Sequence, residues 1–264
     1  MGLNIMEADT EDQKHFMVSS IIGLFYKLYD PHQQGIVGPR LEHSIRNAML
    51  TVMSEPGSTF IEVQRALTDS SFVQEILPKV TDPIVRRFWT DQMAQTSEFH
   101  KSETLDYIVS KFSRFTTNKL MRNIIGQSKS SFNFRQVMDE KKIFLANLSK
   151  GRLGEENSNF LGLLLVPKML TAAMSRADMP QPQRKDFFLY VDEFQNFATS
   201  DFAQILSEAR KYRLDLIVAN QFIGQMPEDV KNAVFGNAGT VISLRVGVTD
   251  ANYLQHEFQP VFGE

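Results

Sequence analysis

From about Glu11 to Asn123 apolar side chains recur every three to four positions, the spacing of helices with one buried face. Met17, Ile21, Leu24 and Leu28 share such a face. The stretch from Pro31 to Pro39, with two glycines, interrupts it before Leu41, Ile45, Ala48, Met49 and Val52 resume the period. Thr59-Phe60-Ile61-Glu62 follows Pro56-Gly57 and has the form of a capping box, which predicts a helix start. Pro83 suits the first turn of a helix through Ile84, Val85, Phe88 and Met93, and a further helix is expected from Ser102 to Phe115. No β-branched run bounded by turns occurs here, so residues 1–138 read as a mainly all-α domain.

After Met138 the pattern changes to short apolar runs alternating with amphipathic helices, which predicts an α/β unit with a parallel sheet over residues 139–264. The expected strands are Lys142 to Asn147, Phe187 to Val191, Leu214 to Ala219 and Thr240 to Val246. Between the first two lies an apolar helix from Asn159 to Met174, then an exposed connection from Arg176 to Lys185 with Pro180 and Pro182. A helix from Asp201 to Tyr212, capped by Ser200, is expected to turn Phe202, Ile205, Leu206 and Ala209 toward the sheet. A short helix from Glu228 to Val234 and a final one capped by Thr249 or Asp250 and ended by Pro260 complete the reading.

Composition narrows the chemistry. The 264 residues are 42% hydrophobic, enough for a large core, and 28 Lys and Arg against 31 Asp and Glu leave a net charge of −3. Nucleic-acid binding would therefore need a local basic patch. With no cysteine there is no disulfide, thiolate catalysis or thiolate zinc site. His15, His32, His43, His100 and His256 have no metal-ligand spacing, and no Gly-x-Ser-x-Gly elbow is present. No basic segment followed by an apolar one opens the chain, and no unbroken apolar run approaches a membrane span. A cytosolic protein, or the cytosolic part of something larger, is expected.

The most informative segment is Phe187-Phe188-Leu189-Tyr190-Val191-Asp192-Glu193, an apolar strand ending in two carboxylates. Ligands bind beyond the carboxyl ends of strands in open α/β sheets, so Asp192 and Glu193 stand where a site would form. An Asp there can hold Mg²⁺, and a neighbouring Glu can orient and deprotonate the water that attacks a γ-phosphate, as in a Walker B element. An acidic start to a solvated loop is the plainer alternative. Leu214-Asp215-Leu216-Ile217-Val218-Ala219-Asn220-Gln221 is a second buried strand, ending at amides. Gln221 could bridge the water or γ-phosphate, or simply cap a loop. Glu208-Ala209-Arg210-Lys211-Tyr212-Arg213 places cations at a helix end, where they complement the dipole or supply an arginine finger to another subunit.

Val191-Asp192-Glu193-Phe194-Gln195-Asn196-Phe197, Ser207-Glu208-Ala209-Arg210-Lys211-Tyr212-Arg213 and Ala219-Asn220-Gln221 together resemble type IV secretion coupling proteins of the TraG/TraD kind, within the HerA/FtsK group of hexameric P-loop ATPases that pump DNA. The resemblance is strong over about 120 residues from Lys142 onward. It implies the C-terminal part of a RecA-like motor domain with Walker B, incomplete, preceded by the family's inserted all-α domain. Carried over by position, Asp192 would be the magnesium-site residue, Glu193 the catalytic base, Arg210 the trans-acting finger and Gln221 the γ-phosphate sensor. ATP and Mg²⁺ would be the cofactors of the complete protein. Its partners would be DNA, further copies in a hexameric ring, and secretion or relaxosome components at the inner membrane.

One departure matters. No Gly-x-x-x-x-Gly-Lys-Ser/Thr loop occurs in the 264 residues, and in the family it lies ahead of the all-α insertion. Gly126-Gln127-Ser128-Lys129-Ser130 and Ser149-Lys150-Gly151-Arg152-Leu153-Gly154 do not match, although the second could line a site at a strand end. The chain by itself is therefore expected to be inactive as an ATPase. For DNA, Tyr107 to Met138 holds Lys111, Arg114, Lys119, Arg122, Lys129 and Arg135 with no acidic residue, and Phe112, Phe115, Phe132 and Phe134 interleave with them. Lys111, Arg114, Lys119 and Arg122 are the contact candidates, against the alternative of a solvated face over core phenylalanines. The rival functions are a HerA-like translocase in repair or packaging, and a nucleotide-independent DNA- or protein-binding module.

Overall fold

The structure, a computed structural model, describes residues 1–32, 34–94, 98–198, 206 and 208–259, with the backbone alone over 98–104. The helical period of the first half is realised as α1 (Glu11–Tyr29), α2 (Pro39–Val52), α3 (Phe60–Thr68), α4 (Ser70–Ile76), α5 (Pro83–Arg87), α6 (Glu98–Thr116), α7 (Lys119–Ile125) and α8 (Phe134–Asp139). Local signals set their starts. Thr10 caps α1, with Glu11 and Asp12 in its first turn facing the positive end of the dipole. Thr59 and Glu62 form the expected reciprocal box at α3, the Glu62 carboxylate accepting from the Thr59 amide at 2.6 Å. Pro83 opens α5, whose chain continues into a π-helical turn at Phe88–Met93; Val85 and Phe88 are buried, whereas Ile84 faces solvent. The loop between α1 and α2 winds on one buried carboxylate, Asp30, which accepts from the amides of Gln34, Gly35 and Val37.

Two further helices, α9 (Lys150–Leu153) and α10 (Glu155–Met174), follow. α10 packs along α1 and α8, and its Phe160, Leu163, Leu164, Met169 and Leu170 are buried. Phe160 stacks on Phe115 with ring centroids 3.8 Å apart, and Phe60 stacks on Phe112 at 4.7 Å. The apolar core is thus continuous across residue 138. Among the described residues the stretch Glu155–Asp178 alone is long and apolar enough to cross a membrane. Most of it is buried within this core.

The sheet of the described residues has two strands, β1 (Phe187–Val191) and β2 (Leu214–Val218), paired in parallel with Phe187 opposite Leu214 and Val191 opposite Val218. Leu189, Val191 and Leu214 turn into the core, while Phe188, Tyr190 and Ile217 face outward. The other two expected strands are not formed. Over 142–147 the backbone has no ladder: Phe144 is anchored against Phe132 and Phe134, with centroids 5.0 and 5.3 Å away, and an open groove of about 1390 Å³ separates the segment from β1. Ile143 and Leu145 are both 88% exposed. Thr240 to Val246 likewise pairs with nothing among the described residues, leaving Ile242 84% and Leu244 87% exposed. Apolar alternation produces a strand only where a neighbouring edge takes up its backbone groups.

α11 (Glu228–Asn237) and α12 (Val248–Phe258) complete the described elements. Gly247 occupies the N-cap of α12 in place of the expected Thr249 or Asp250; Asp250 is instead buried, accepting from the Ile223 amide at 3.0 Å. Ser200, Phe202, Ile205 and Pro260, expected in the crossover helix and as the final stop, lie outside the described residues; Ala209 is buried as expected.

What ties sheet to helices is Arg176, just beyond α10 and 0% exposed. Its Nε donates to Asp139 Oδ1 at 3.0 Å, and its Nη1 donates to the carbonyls of Lys185 at 2.9 Å and Tyr212 at 3.1 Å, ahead of β1 and β2. Arg135 holds the other Asp139 oxygen at 3.3 Å. Without Arg176 the Lys185 and Tyr212 carbonyls lose its donor and the partly exposed Asp139 keeps only Arg135, so Arg176→Met is expected to lower stability by about 1–3 kcal/mol in urea unfolding. Lys168, buried on α10, donates to the Glu7 carbonyl at 2.7 Å, and burial lowers its pKa to about 8 from 10.5. Between those values the unfolded chain holds a proton that the folded chain has lost, so this lysine makes stability rise with pH above about 8. Lys168→Met is expected to be more stable at pH 7 and to lack this rise, read from unfolding midpoints at pH 7, 8 and 9.5.

Candidate functional site

The two strands deliver their termini side by side. Beyond Val191 and Val218 the ladder runs on: the Ala219 amide donates to the Val191 carbonyl at 2.9 Å, and the Phe194 amide to the Ala219 carbonyl at 2.9 Å. Between these bonds the chain must turn, and Glu193 takes the turn in the left-handed region, φ 51° and ψ 44°. A non-glycine residue holds that conformation only where its surroundings over-determine it, a situation concentrated at functional sites. Asp192 Oδ1 accepts from the Glu193 amide at 2.9 Å, and a short helical turn, Phe194–Asn196, follows.

Those bonds present the Glu193 carboxylate to two amides. Gln221, leaving β2, donates its Nε2 to Glu193 Oε1, and Gln195 donates its Nε2 to Glu193 Oε2 at 2.5 Å. Glu193 and Gln221, read from sequence as tips of neighbouring strands, are therefore in direct contact, whereas Asp192 bonds only the Glu193 amide among the described residues. Gln195 is 7% exposed, and its Oε1 is buried without a partner. Its backbone carbonyl accepts from Lys27 Nζ of α1 at 2.9 Å. Lys27, with its pKa lowered chiefly by burial and partly restored by Asp229, brings the helical half to the site. A polar cavity of about 410 Å³ is lined by Lys27, Lys150, Glu155, Asn159, Glu193 and Gln221 among others. Lys150 comes from the glycine-bearing loop expected to line a site, and pairs with Glu155 at 2.8 Å.

Asp192 is exposed. No group of three or more carboxylate or histidine ligands occurs among the described residues. One exposed carboxylate still suits Mg²⁺, which keeps several waters and takes only one or two protein carboxylates beside phosphate oxygens.

Arg210 is not brought to this cluster. It is exposed at the leading end of β2, separated from Gln221 by the length of the strand, roughly 17 Å for five residues. Of the basic candidates, Lys111 lies over the rings of Tyr29 and Tyr107, each 4.7 Å away, and Arg114 pairs with Glu156. Lys119 is exposed, as is Arg122, which donates to the Thr116 carbonyl at 3.1 Å. Phe112, Phe115 and Phe134 are buried core residues, so they do not form an outward stacking platform with these cations. Gln195 carried a sequence signal only in its position two residues after Glu193. Lys27 carried none, since nothing in a helical lysine foretells a contact 168 residues away.

No family model and no curated protein sequence matches the chain. In fold it is similar to the solved structure of the bacterial conjugative coupling protein TrwB, with a TM-score of 0.52 and 13% sequence identity. The match covers 98% of this chain and 59% of that one, so the chain spans little more than half the length of that structure. The likeness is one of fold alone.

One close approach supports the Glu193 turn from below. A Cβ on Gly162 of α10 would lie 2.2 Å from the Phe197 ring, so α10 admits that ring only because residue 162 has no side chain. Alanine for glycine inside a helix otherwise stabilises by about 0.5–1 kcal/mol. Gly162→Ala is expected instead to destabilise by about 1–3 kcal/mol, the cost of overpacking, while Gly151→Ala, which meets nothing closer than 3.8 Å, is tolerated. Urea midpoints of the two variants make the check.

Proposed function

We propose that this chain is part of an ATP-driven DNA translocase of the coupling-protein kind and contributes the hydrolytic half of its ATP site. The observation that carries the reading is the meeting of Glu193 and Gln221 at adjacent carboxyl ends of two parallel strands, in a chain whose fold resembles a conjugative coupling protein. Glu193 takes the proton of the attacking water, and its orientation toward that water comes from the amide donors on both its oxygens. Gln221 senses the γ-phosphate and passes its loss to β2, a role supported by its bond to Glu193. Asp192, exposed beside it, would hold Mg²⁺, which when bound neutralises the charge on the phosphates.

Arg210 serves a neighbouring copy. Its exposed place at the far end of β2 keeps it from its own Glu193 and suits projection into the next subunit of a ring. Phosphate-binding amides and a lysine of the glycine-rich kind are not among these 264 residues, so residues 1–264 alone are proposed to bind ATP weakly. The DNA-contact surface is assigned to Lys119 and Arg122, the exposed candidates other than Arg114, which pairs with Glu156.

The test uses the assembly that hydrolyses ATP. Glu193→Gln is expected to lower kcat about a hundredfold or more while ATP binding is kept. Arg210→Ala is expected to abolish turnover in uniform rings, and mixing it with Glu193→Gln subunits is expected to restore part of it, because an interface that sets the intact Glu193 of an Arg210→Ala subunit against the intact Arg210 of a Glu193→Gln subunit has both groups. Wild-type turnover by Glu193→Gln would refute the assignment of the base. Failure of the mixture to recover would refute the trans-acting finger.

A further inference from the structure

We infer that Lys27 and Gln195 form a positioning relay through which helix α1 sets the placement of the Glu193 carboxylate. The inference rests on the reading of Glu193 as the hydrolytic base, and it adds the control of that base by the helical half of the chain.

Three observations carry it. Gln195 holds Glu193 through its side chain and is itself held through its backbone: its Nε2 donates to Glu193 Oε2 at 2.5 Å, and its carbonyl accepts from Lys27 Nζ at 2.9 Å. The carboxylate fixes which end of the Gln195 amide faces it, since only the NH₂ group can donate. The other end, Oε1, is left buried and unpartnered, an arrangement that packing alone disfavours. Gln195 is thus oriented by Glu193 at the expense of its own satisfaction. Glu193, in turn, holds a left-handed backbone that relaxes unless its neighbours constrain it.

Lys27 closes the chain of contacts. It is a half-buried ammonium that brings no carboxylate partner within ion-pair distance among the described residues, and its nearest acidic influence is Asp229. A long cation desolvated to meet a single carbonyl is a poor stabiliser of the fold and a good mechanical link. α1 packs on α2 within the helical half, so a displacement of that pair moves Lys27 directly. Withdrawal of Lys27 frees the Gln195 carbonyl, slackens the turn at 194–197 and lets the Glu193 carboxylate leave the geometry set by Gln195 and Gln221. The helical half can then switch hydrolysis without touching nucleotide.

The full chain allows the link to be tested without ATP. Lys27→Met removes the donor and keeps the stem, and Lys27→Arg restores a donor. Amide hydrogen exchange over residues 194–198 is expected to speed about tenfold in Lys27→Met, the effect of losing one charge-assisted bond, with exchange in α2 and α3 and the melting temperature unchanged, and to return to wild type in Lys27→Arg. In the ATP-hydrolysing assembly, Lys27→Met and Gln195→Leu are each expected to lower kcat about tenfold with KM for ATP held within about twofold, again with rescue by Lys27→Arg. Unchanged exchange in Lys27→Met overturns the relay whatever the turnover does. Changed exchange with wild-type turnover in Glu193→Gln upholds the mechanical link and overturns the hydrolytic reading of Glu193 on which its control of catalysis rests.

Discussion

The Arg176 guanidinium sits where the end of α8, the end of α10 and the leading ends of both strands converge, with no access to solvent. A charge in that place is costly unless every contact is made, and Asp139 with the carbonyls of Lys185 and Tyr212 makes most of them. One Nη2 stays unpartnered. That the chain keeps so demanding a group shows what it accomplishes: two backbone carbonyls, 27 residues apart in sequence, are fixed to one point, and β1 and β2 start level with each other. Strands that start level and have equal length end level. The ladder between the strands and Arg176 at its leading end hold the same register, and Glu193 and Gln221 meet beyond its far end.

From that alignment the chemistry follows by short steps. Parallel strands of five residues bring Val191 opposite Val218, and the ladder continued through Ala219 forces a turn at Glu193 that only a left-handed residue can make. The strained turn swings the carboxylate between two amide donors, and the absence of a side chain on Gly162 lets Phe197 seat behind it. The constraint passes outward through Gln195 to Lys27, so the helical half and the strand tips share polar contacts as well as one apolar core. Two halves that differ in sequence pattern thus meet at the Gln195 turn, which the second half supplies and Lys27 of the first half holds.

Where the sequence was legible, the signal was local. Thr59 and Glu62 describe a capping box within four residues, Pro83 announces a first turn, and the three-to-four spacing of Leu41, Ile45, Ala48, Met49 and Val52 predicts the face that α2 buries. The Asp192-Glu193 pair was visible for the same reason, as the end of an apolar run. Residues 142–147 and 240–246 carry the same alternation yet form no ladder, because strand formation needs a partner edge at hydrogen-bonding distance and periodicity is silent about partners. The basic tract from Lys111 to Arg135 shows the same limit: its cations were readable, but their engagement with Tyr29, Tyr107 and Glu156, and the burial of Phe112 and Phe115, depend on neighbours distant in sequence.

The sequence by itself determined the helical first half, the two apolar strands, the acidic pair that ends one of them and the amide that ends the other, since propensity, periodicity and capping act over a few residues. Only the tertiary structure decided that Glu193 lies in the left-handed region clasped by Gln195 and Gln221, that Lys27 reaches Gln195 from 168 residues away, and that Arg210 stands at the opposite end of its strand. Those facts are set by a buried guanidinium that levels two strands and by a core that joins both halves, and such contacts exist only once the chain has closed on itself.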